Sequence, residues 1–332
     1  MTPRERVLKA LAHEETDLVP YVIPIEPAVD AELTQHYGGP QYRERITNHY
    51  LNVSPTFTGI AEGPHPEGSI MDVFGGRWEV KNICHLVDFP LKRPSLDGLE
   101  WPDVSKDEYY APLHDVPRQN ADRFMIALFA LGLFERSWAL RGMNNILMDM
   151  ACEPAFCDEL YDQIVEWNLK LLGKMCDTPV DAVGFTDDLG CQKGLIMGPH
   201  FWKRYLKPRM AILMGYIKSR GKYSYLHSCG DNGDIMGDLI EMGLDIFNPL
   251  QPEPWDIFEI KKQYGRYITF DGGISSQTTL PFGSAEDVDR EARRCLCELG
   301  QGGGYIAGPN KPIMAGTPVE NAVALIEVLV TQ

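Results

Sequence analysis

Seven short apolar runs recur along the chain, each closing on a polar or glycine-rich cluster: DLVPYVIPIE (17–26), RFMIALFALG (123–132), DAVGFTDDLG (181–190), KYSYLHSCGD (222–231), LDIFNPLQPE (244–253), YITFDGGI (267–274) and GYIAGPNK (304–311). Near-continuous apolar runs of this length predict strands buried on both faces, as in a parallel sheet. Helical periodicity fills the intervals. Residues 153–175 place Phe156, Leu160, Ile164, Trp167, Leu171 and Met175 on one stripe behind Pro154. Residues 201–221 place Trp202, Tyr205, Leu206, Leu213, Tyr216 and Ile217 on another, bent or restarted at Pro208. Ser284 with Asp287 forms a capping-box pattern, with Gly300 as the stop. Thr317, Pro318 and Glu320 predict a second helix start, with Thr317 as its cap.

Strand and helix in alternation predict an α/β fold. Seven or eight strands suit a (β/α)8 TIM barrel, with the charged amphipathic stretch MTPRERVLKALAHEETD as an N-terminal helical extension. A doubly wound sheet is the alternative, less favoured because no strand runs into GxGxxG or GxxxxGK[ST] at a helix start. GQGGGY (300–305) leads into a strand, so it lacks the helix N-terminus that would hold phosphate.

Composition narrows this picture. With 332 residues, 44% apolar, the chain can bury a large core, and residues 1–332 read as one domain without a linker or repeat. A net charge of −16 argues against nucleic acid or an anionic membrane as partner, since both call for a basic surface. The longest apolar stretch, 125–134, is half of the roughly 20 residues a bilayer span needs. The first residues lack the apolar core of a signal peptide. Eight cysteines without framework spacing fit reduced thiols in a cytoplasm, with Cys295 and Cys297 as packing residues.

In a barrel, chemistry gathers at the carboxyl ends of the strands. Those ends carry Asp187 and Asp188; His227 and Cys229; Asn248, Gln251 and Glu253; Asp271; and Asn310 and Lys311. The sharpest pattern is His227–Ser228–Cys229, because alternate residues of an extended segment point the same way and can reach one ion. Zn²⁺ suits an imidazole with a thiolate. The plain alternative is a buried cysteine beside a hydrogen-bonded histidine. Zinc needs a third protein ligand, and Glu253 is preferred over Asp188, Cys191 or Asp271. Asp187 and Asp188, adjacent acids ending an apolar run, point to an enclosed acidic mouth. Arg141 is a candidate for holding an anionic substrate, or equally half of a surface ion pair. Trp78, Trp138 and Tyr305 could line an apolar cavity, or be core.

Several blocks together carry a family likeness: TPRERVLKALAHEETDLVP, FERSWALRGMNNILMDMACEP, TDDLGCQKGLIMGPHFWKRYLKPRM, LHSCGDNGDIMGDLIEMGLDIFNPLQP, and GGGYIAGPNKPI with TPVENAVAL. The chain resembles the uroporphyrinogen decarboxylase superfamily over nearly its whole length. The resemblance implies the (β/α)8 barrel and offers two branches, metal-free decarboxylases and zinc-dependent methyltransferases that pass a methyl group between a corrinoid protein and a thiol or methylated small molecule. The decarboxylases carry an arginine-rich N-terminal segment. VPYVIPIEPAVD here has no arginine, whereas the His-x-Cys pair of the methyltransferases matches His227 and Cys229.

The family cysteine that completes the zinc set near the last strand is replaced by GPNKP, with Asn310 near that position. Glu253 falls close to a family glutamate that approaches the zinc. The reading that results is a cytoplasmic corrinoid-dependent methyltransferase with Zn²⁺ on His227, Cys229 and Glu253, and with chemistry at His227, Cys229 and Asp188. Asp187, Asp271, Asn310 and Arg141 are assigned to holding the cofactor side. Its partners are a corrinoid (cobalamin) protein and a small methylated substrate or thiol. Two rivals stand beside it: a metal-free decarboxylase using Asp187, Asp188 or Asp271 for protons, and a non-catalytic tetrapyrrole or corrinoid binder.

Overall fold

The computed structural model describes residues 1–56, 60–62, 68–80 and 84–332. Seven parallel strands lie side by side in chain order: β1 (Tyr50–Val53), β2 (Phe124–Phe129), β3 (Ala182–Thr186), β4 (Tyr223–His227), β5 (Ile246–Leu250), β6 (Thr269–Ile274) and β7 (Tyr305–Pro309). Residues 20–25 occupy the gap between β7 and β1. On one side Val22 N–H donates to Ala307 O at 2.9 Å and Ala307 N–H to Pro20 O at 2.8 Å. On the other, His49 N–H donates to Tyr21 O at 3.0 Å. The sheet therefore closes on itself as an eight-stave barrel. Pro20 and Pro24 have no N–H to give, which is why this stave pairs only through isolated bridges at Tyr21 and Ile25.

Alternation along the strands decides what the barrel encloses. Val22, Tyr50, Phe124, Ile126, Ala182, Tyr225, Ile246 and Ile306 form one buried cluster with Val7. Their neighbours Phe185, Leu226, Phe247 and Phe270 join the larger core shared with the outer helices. Each fully buried side chain of this size contributes about 1.5–3 kcal/mol. Val7 belongs to the helix Pro3–Leu11, whose start is fixed by a capping box of Thr2 and Glu5. That helix plugs the amino-terminal end, with Gly304 N–H donating to Ala10 O at 2.8 Å. The carboxyl end is left for chemistry.

The long helix Pro154–Cys176 forms as its stripe requires. Ahead of Pro208 the chain makes a wide π-type turn at Trp202–Leu206 before the helix Lys207–Ser219, because Pro208 lacks the N–H for a regular bond. The Ser284 capping box and the Gly300 end are present in Ala285–Gly300. Thr317 is not the cap expected: the last helix, Val319–Val330, is capped by Pro318, whose carbonyl accepts from Asn321 and Ala322.

Between β1 and β2 the chain makes an antiparallel excursion through Ile60–Glu62, Ser69–Asp72, Arg77–Val80 and Cys84–Asp88. Its tight turn is organised by Asp72, which accepts from the N–H of Phe74 (2.9 Å) and Gly76 (2.8 Å) and from Trp78 Nε1 (2.8 Å). Among the described residues no helix is long and apolar enough to cross a membrane.

Candidate metal centre

β4 ends at His227, which faces the same side of the strand as Tyr225. The next residues fold back tightly. Asn232 Nδ2 donates to the carbonyls of Ser228, Cys229 and Gly230 at 3.0–3.2 Å, and Ser228 Oγ returns a bond to Asn232 Oδ1 at 3.1 Å. Gly230 has φ +84°, and a Cβ there would lie 2.3 Å from the carbonyl carbon of Gly190. Only glycine lets the loop after β4 press against the loop after β3. That contact sets Cys229 beside Asp188, with Cys229 N–H donating to Asp188 Oδ1 at 2.8 Å and Gly190 N–H to Cys229 O at 3.2 Å.

Three different donor atoms converge as a result. Cys229 Sγ lies 3.5 Å from His227 Nε2, and Asp188 Oδ1 lies 4.0 Å from the same nitrogen. All three atoms are within 4.8 Å of one another. A tetrahedral ion with bonds of about 2.0–2.3 Å sets its donors roughly 3.3–3.8 Å apart, so a zinc ion fits with small adjustment. Burial, more than any neighbour, holds the His227 pKa below its usual value, leaving the ring neutral and able to ligate. Burial, then Asp188, pushes the Cys229 thiol up to about 12. A bound cation would reverse that and release the proton.

Glu135, which the sequence reading did not single out, stands in the same mouth. It is the second residue of the helix Phe134–Arg141, and its carboxyl accepts from Thr186 Oγ1 at 2.7 Å. Burial, then Asp187 and Asp188, pushes it up to about 8, and its charge in turn acts on Cys229. The one signal for it was its place just after the apolar run 125–134. Lys311 is close enough to lower both His227 and Cys229.

The remaining candidates have other partners. Asp187 is fully buried and accepts the N–H of Leu133 (3.1 Å), Phe134 (3.2 Å) and Glu135 (2.7 Å), anchoring a helix start. Burial lifts it to about 7 against those donors. Asp271 sits in the barrel interior, accepting from Tyr50 OH at 2.8 Å and Asn248 Nδ2 at 2.9 Å. Asn310 ties β7 to β6, its Oδ1 accepting Gly273 N–H at 3.0 Å. Arg141 is buried and spends its guanidinium on Asp149 (2.7 Å) and the carbonyls of Leu91 (3.3 Å) and Lys92 (3.4 Å). It forms an ion pair, but a buried one and not the surface pair expected.

Glu253 does not share the donor group. Its Oε1 accepts from Ser275 Oγ, and it lines a separate cleft of about 800 Å³ with Ser275, Thr279, Arg290 and Glu291. Gln251 is the residue of that loop that reaches the β4 turn, its Oε1 accepting Gly230 N–H at 2.6 Å. The carboxylate beside the His–Cys pair is that of Asp188, because β3 and not β5 supplies the loop that touches Cys229. Cys191 is exposed and outside the group. Trp78 and Trp138 pack against each other with ring centroids 5.7 Å apart and planes tilted by 60°, and Tyr305 is buried with its hydroxyl donating to Gly272 O at 2.8 Å.

A model of the uroporphyrinogen decarboxylase family matches residues 122–331. Among solved structures, a methyltransferase from Methanosarcina mazei superimposes over 99% of this chain and 98% of its own, with a TM-score of 0.75 at 18% identity. A B12-independent methionine synthase from Shewanella matches less well, with a TM-score of 0.42 and 11% identity over 64% of each chain. No curated protein sequence matches the chain.

Proposed function

The chain belongs to the uroporphyrinogen decarboxylase family, and from that premise we propose that it is a methyltransferase moving a methyl group between a small methylated substrate or thiol and a corrinoid protein. The observation that carries this reading is the nitrogen, sulfur and oxygen donor group of His227, Cys229 and Asp188 at the carboxyl end of the barrel. These residues would hold zinc through Nε2, Sγ and Oδ1, leaving a fourth position for substrate. One thiolate and one carboxylate balance a divalent ion, as two thiolates would. When bound, zinc supplies Lewis acidity to a thiol or a methylated heteroatom.

The chain's own groups do the rest. As ligands, His227 and Cys229 would set where the ion, and so the substrate heteroatom, sits at the mouth. Asp188 accepts the Cys229 N–H and so keeps the loop and the donor group in one place. Glu135, lifted to about 8, is the nearby acid able to hold a proton exchanged with the substrate heteroatom. The same raised acid favours the second reading, a metal-free decarboxylase of this family.

Metal analysis of the purified protein should find about one zinc per chain, lost in His227→Ala, Cys229→Ala and Asp188→Ala. Methyl transfer from methylcobalamin to a thiol should fall at least about 100-fold in each. Zinc-free wild-type protein whose activity survives chelation, needs no corrinoid and tolerates the His227→Ala/Cys229→Ala pair would replace this reading with the second.

A further inference from the structure

The imidazole of His227 is connected to the barrel interior by two side chains that no part of the reaction above requires. His227, Asn248 and Asp271 lie on the adjacent strands β4, β5 and β6, and His227 and Asn248 are direct partners in the β4–β5 register. Asp271 Oδ2 accepts from Tyr50 OH at 2.8 Å, from Asn248 Nδ2 at 2.9 Å and from Tyr225 OH at 3.4 Å. Three donors on one carboxylate orient the Asn248 amide. Its NH₂ faces Asp271, and its carbonyl oxygen faces His227 Nδ1 at 2.6 Å. The flipped amide would set carbonyl against carboxylate.

A carbonyl oxygen only accepts, so the ring must carry its proton on Nδ1. The lone pair is then on Nε2, the nitrogen that faces Cys229 Sγ and Asp188 Oδ1. We infer that Asn248 and Asp271 are positioning residues: they form a relay that selects the Nδ1–H form of His227 and aims Nε2 at the donor group before any metal arrives. The inference rests on the metal-site reading above. It matters because a neutral imidazole in water favours the proton on Nε2, the form that cannot ligate through that atom. Selecting the other form in advance removes a rearrangement from metal binding. Asn248 and Asp271 are both buried, so water does not compete for these bonds.

The test begins on metal-free protein. With ¹⁵N-labelled histidine, and His227→Gln to assign the signal, wild-type His227 should show its proton on Nδ1. In Asn248→Leu, with folding checked by circular dichroism, the proton should move to Nε2 and zinc affinity should fall about 10–100-fold. The double exchange Asn248→Asp/Asp271→Asn keeps an acceptor facing Nδ1 and should restore both the tautomer and at least a tenfold share of the affinity. A merely structural role would leave the tautomer unmoved. Wild-type protein with Nε2 protonated, or a folded Asn248→Leu variant with unchanged tautomer and zinc affinity within twofold, overturns the relay. An Nδ1–H tautomer in a protein that never binds zinc supports the relay and removes the methyltransferase reading instead.

Discussion

At the scale of single residues, the site depends on a close approach of two loops that a methyl group would block. Gly230→Ala combines a positive φ with a Cβ 2.3 Å from backbone, so the loop must move away from Gly190. We expect a stability loss of roughly 1–3 kcal/mol from backbone strain alone, with weaker zinc binding, read by thermal unfolding and zinc titration. An unchanged melting temperature and unchanged affinity would refute this. Of the donor group, His227 and Cys229 were legible because a two-residue spacing on an extended segment is a local rule. That Asp188, and not Glu253, stands beside them was not. Which carboxylate reaches Cys229 depends on the packing of Gly190 against Gly230, a contact between loops 40 positions apart in sequence. Glu135 was hidden for the same reason, and Asn248, though named among the strand ends, showed no partner there, since the significance of both comes only from what the neighbouring strand presents.

At the scale of elements, Asp187 shows an acid read as a site residue working as scaffold. It ends β3 yet caps the helix Phe134–Arg141, satisfying three N–H groups that a helix start otherwise leaves open. Asp187→Ala should cost about 3 kcal/mol or more in denaturant unfolding, since each buried orphan costs roughly 1–3 kcal/mol. Asp187→Asn, which retains an acceptor, should lose clearly less; equal losses would show that the cap is not the reason. The apolar runs exposed all of the other staves, but β1 escaped notice. It has four residues, and only two of them, Tyr50 and Val53, are buried. The antiparallel excursion was equally silent, since its turn is made by a side chain, Asp72, and not by an apolar pattern.

At the scale of the whole molecule, the barrel was legible from the count of strand–helix units, while its seam was not. The run 17–26 marks the stave 20–25 but not how it closes the ring: its two prolines leave it joined by isolated bridges, and His49 at the β1 edge joins it through Tyr21. Burial holds His49 down to about 4, with the Arg6 and Arg123 charges acting the same way. The folded value is depressed below the unfolded 6.5, so this contribution is complete above pH 6.5 and is lost as pH falls toward 4. It amounts to roughly 3 kcal/mol. Asp187 and Asp271 at about 7 and Glu135 at about 8 act oppositely, their folded values being raised, so their contribution fades as pH climbs from about 4 to 8. Melting temperatures across pH should fall on both sides, and His49→Gln should flatten the acid side alone. An acid limb identical to wild type would dismiss the seam histidine.

The same seam sets an order of events during synthesis. Tyr21 leaves the ribosome well ahead of its stave partner Ala307, which lies 286 positions later in the chain. Until then the first stave has a partner on one side only, and the ring stays open along that edge. Such long-range pairing slows folding and leaves an unpaired edge exposed meanwhile. The prolines at 20 and 24 blunt this stave, since an edge short of N–H groups is a poor template for another chain. A nascent chain halted before residue 305 should therefore resist protease poorly across residues 17–26, and gain resistance there once β7 has emerged.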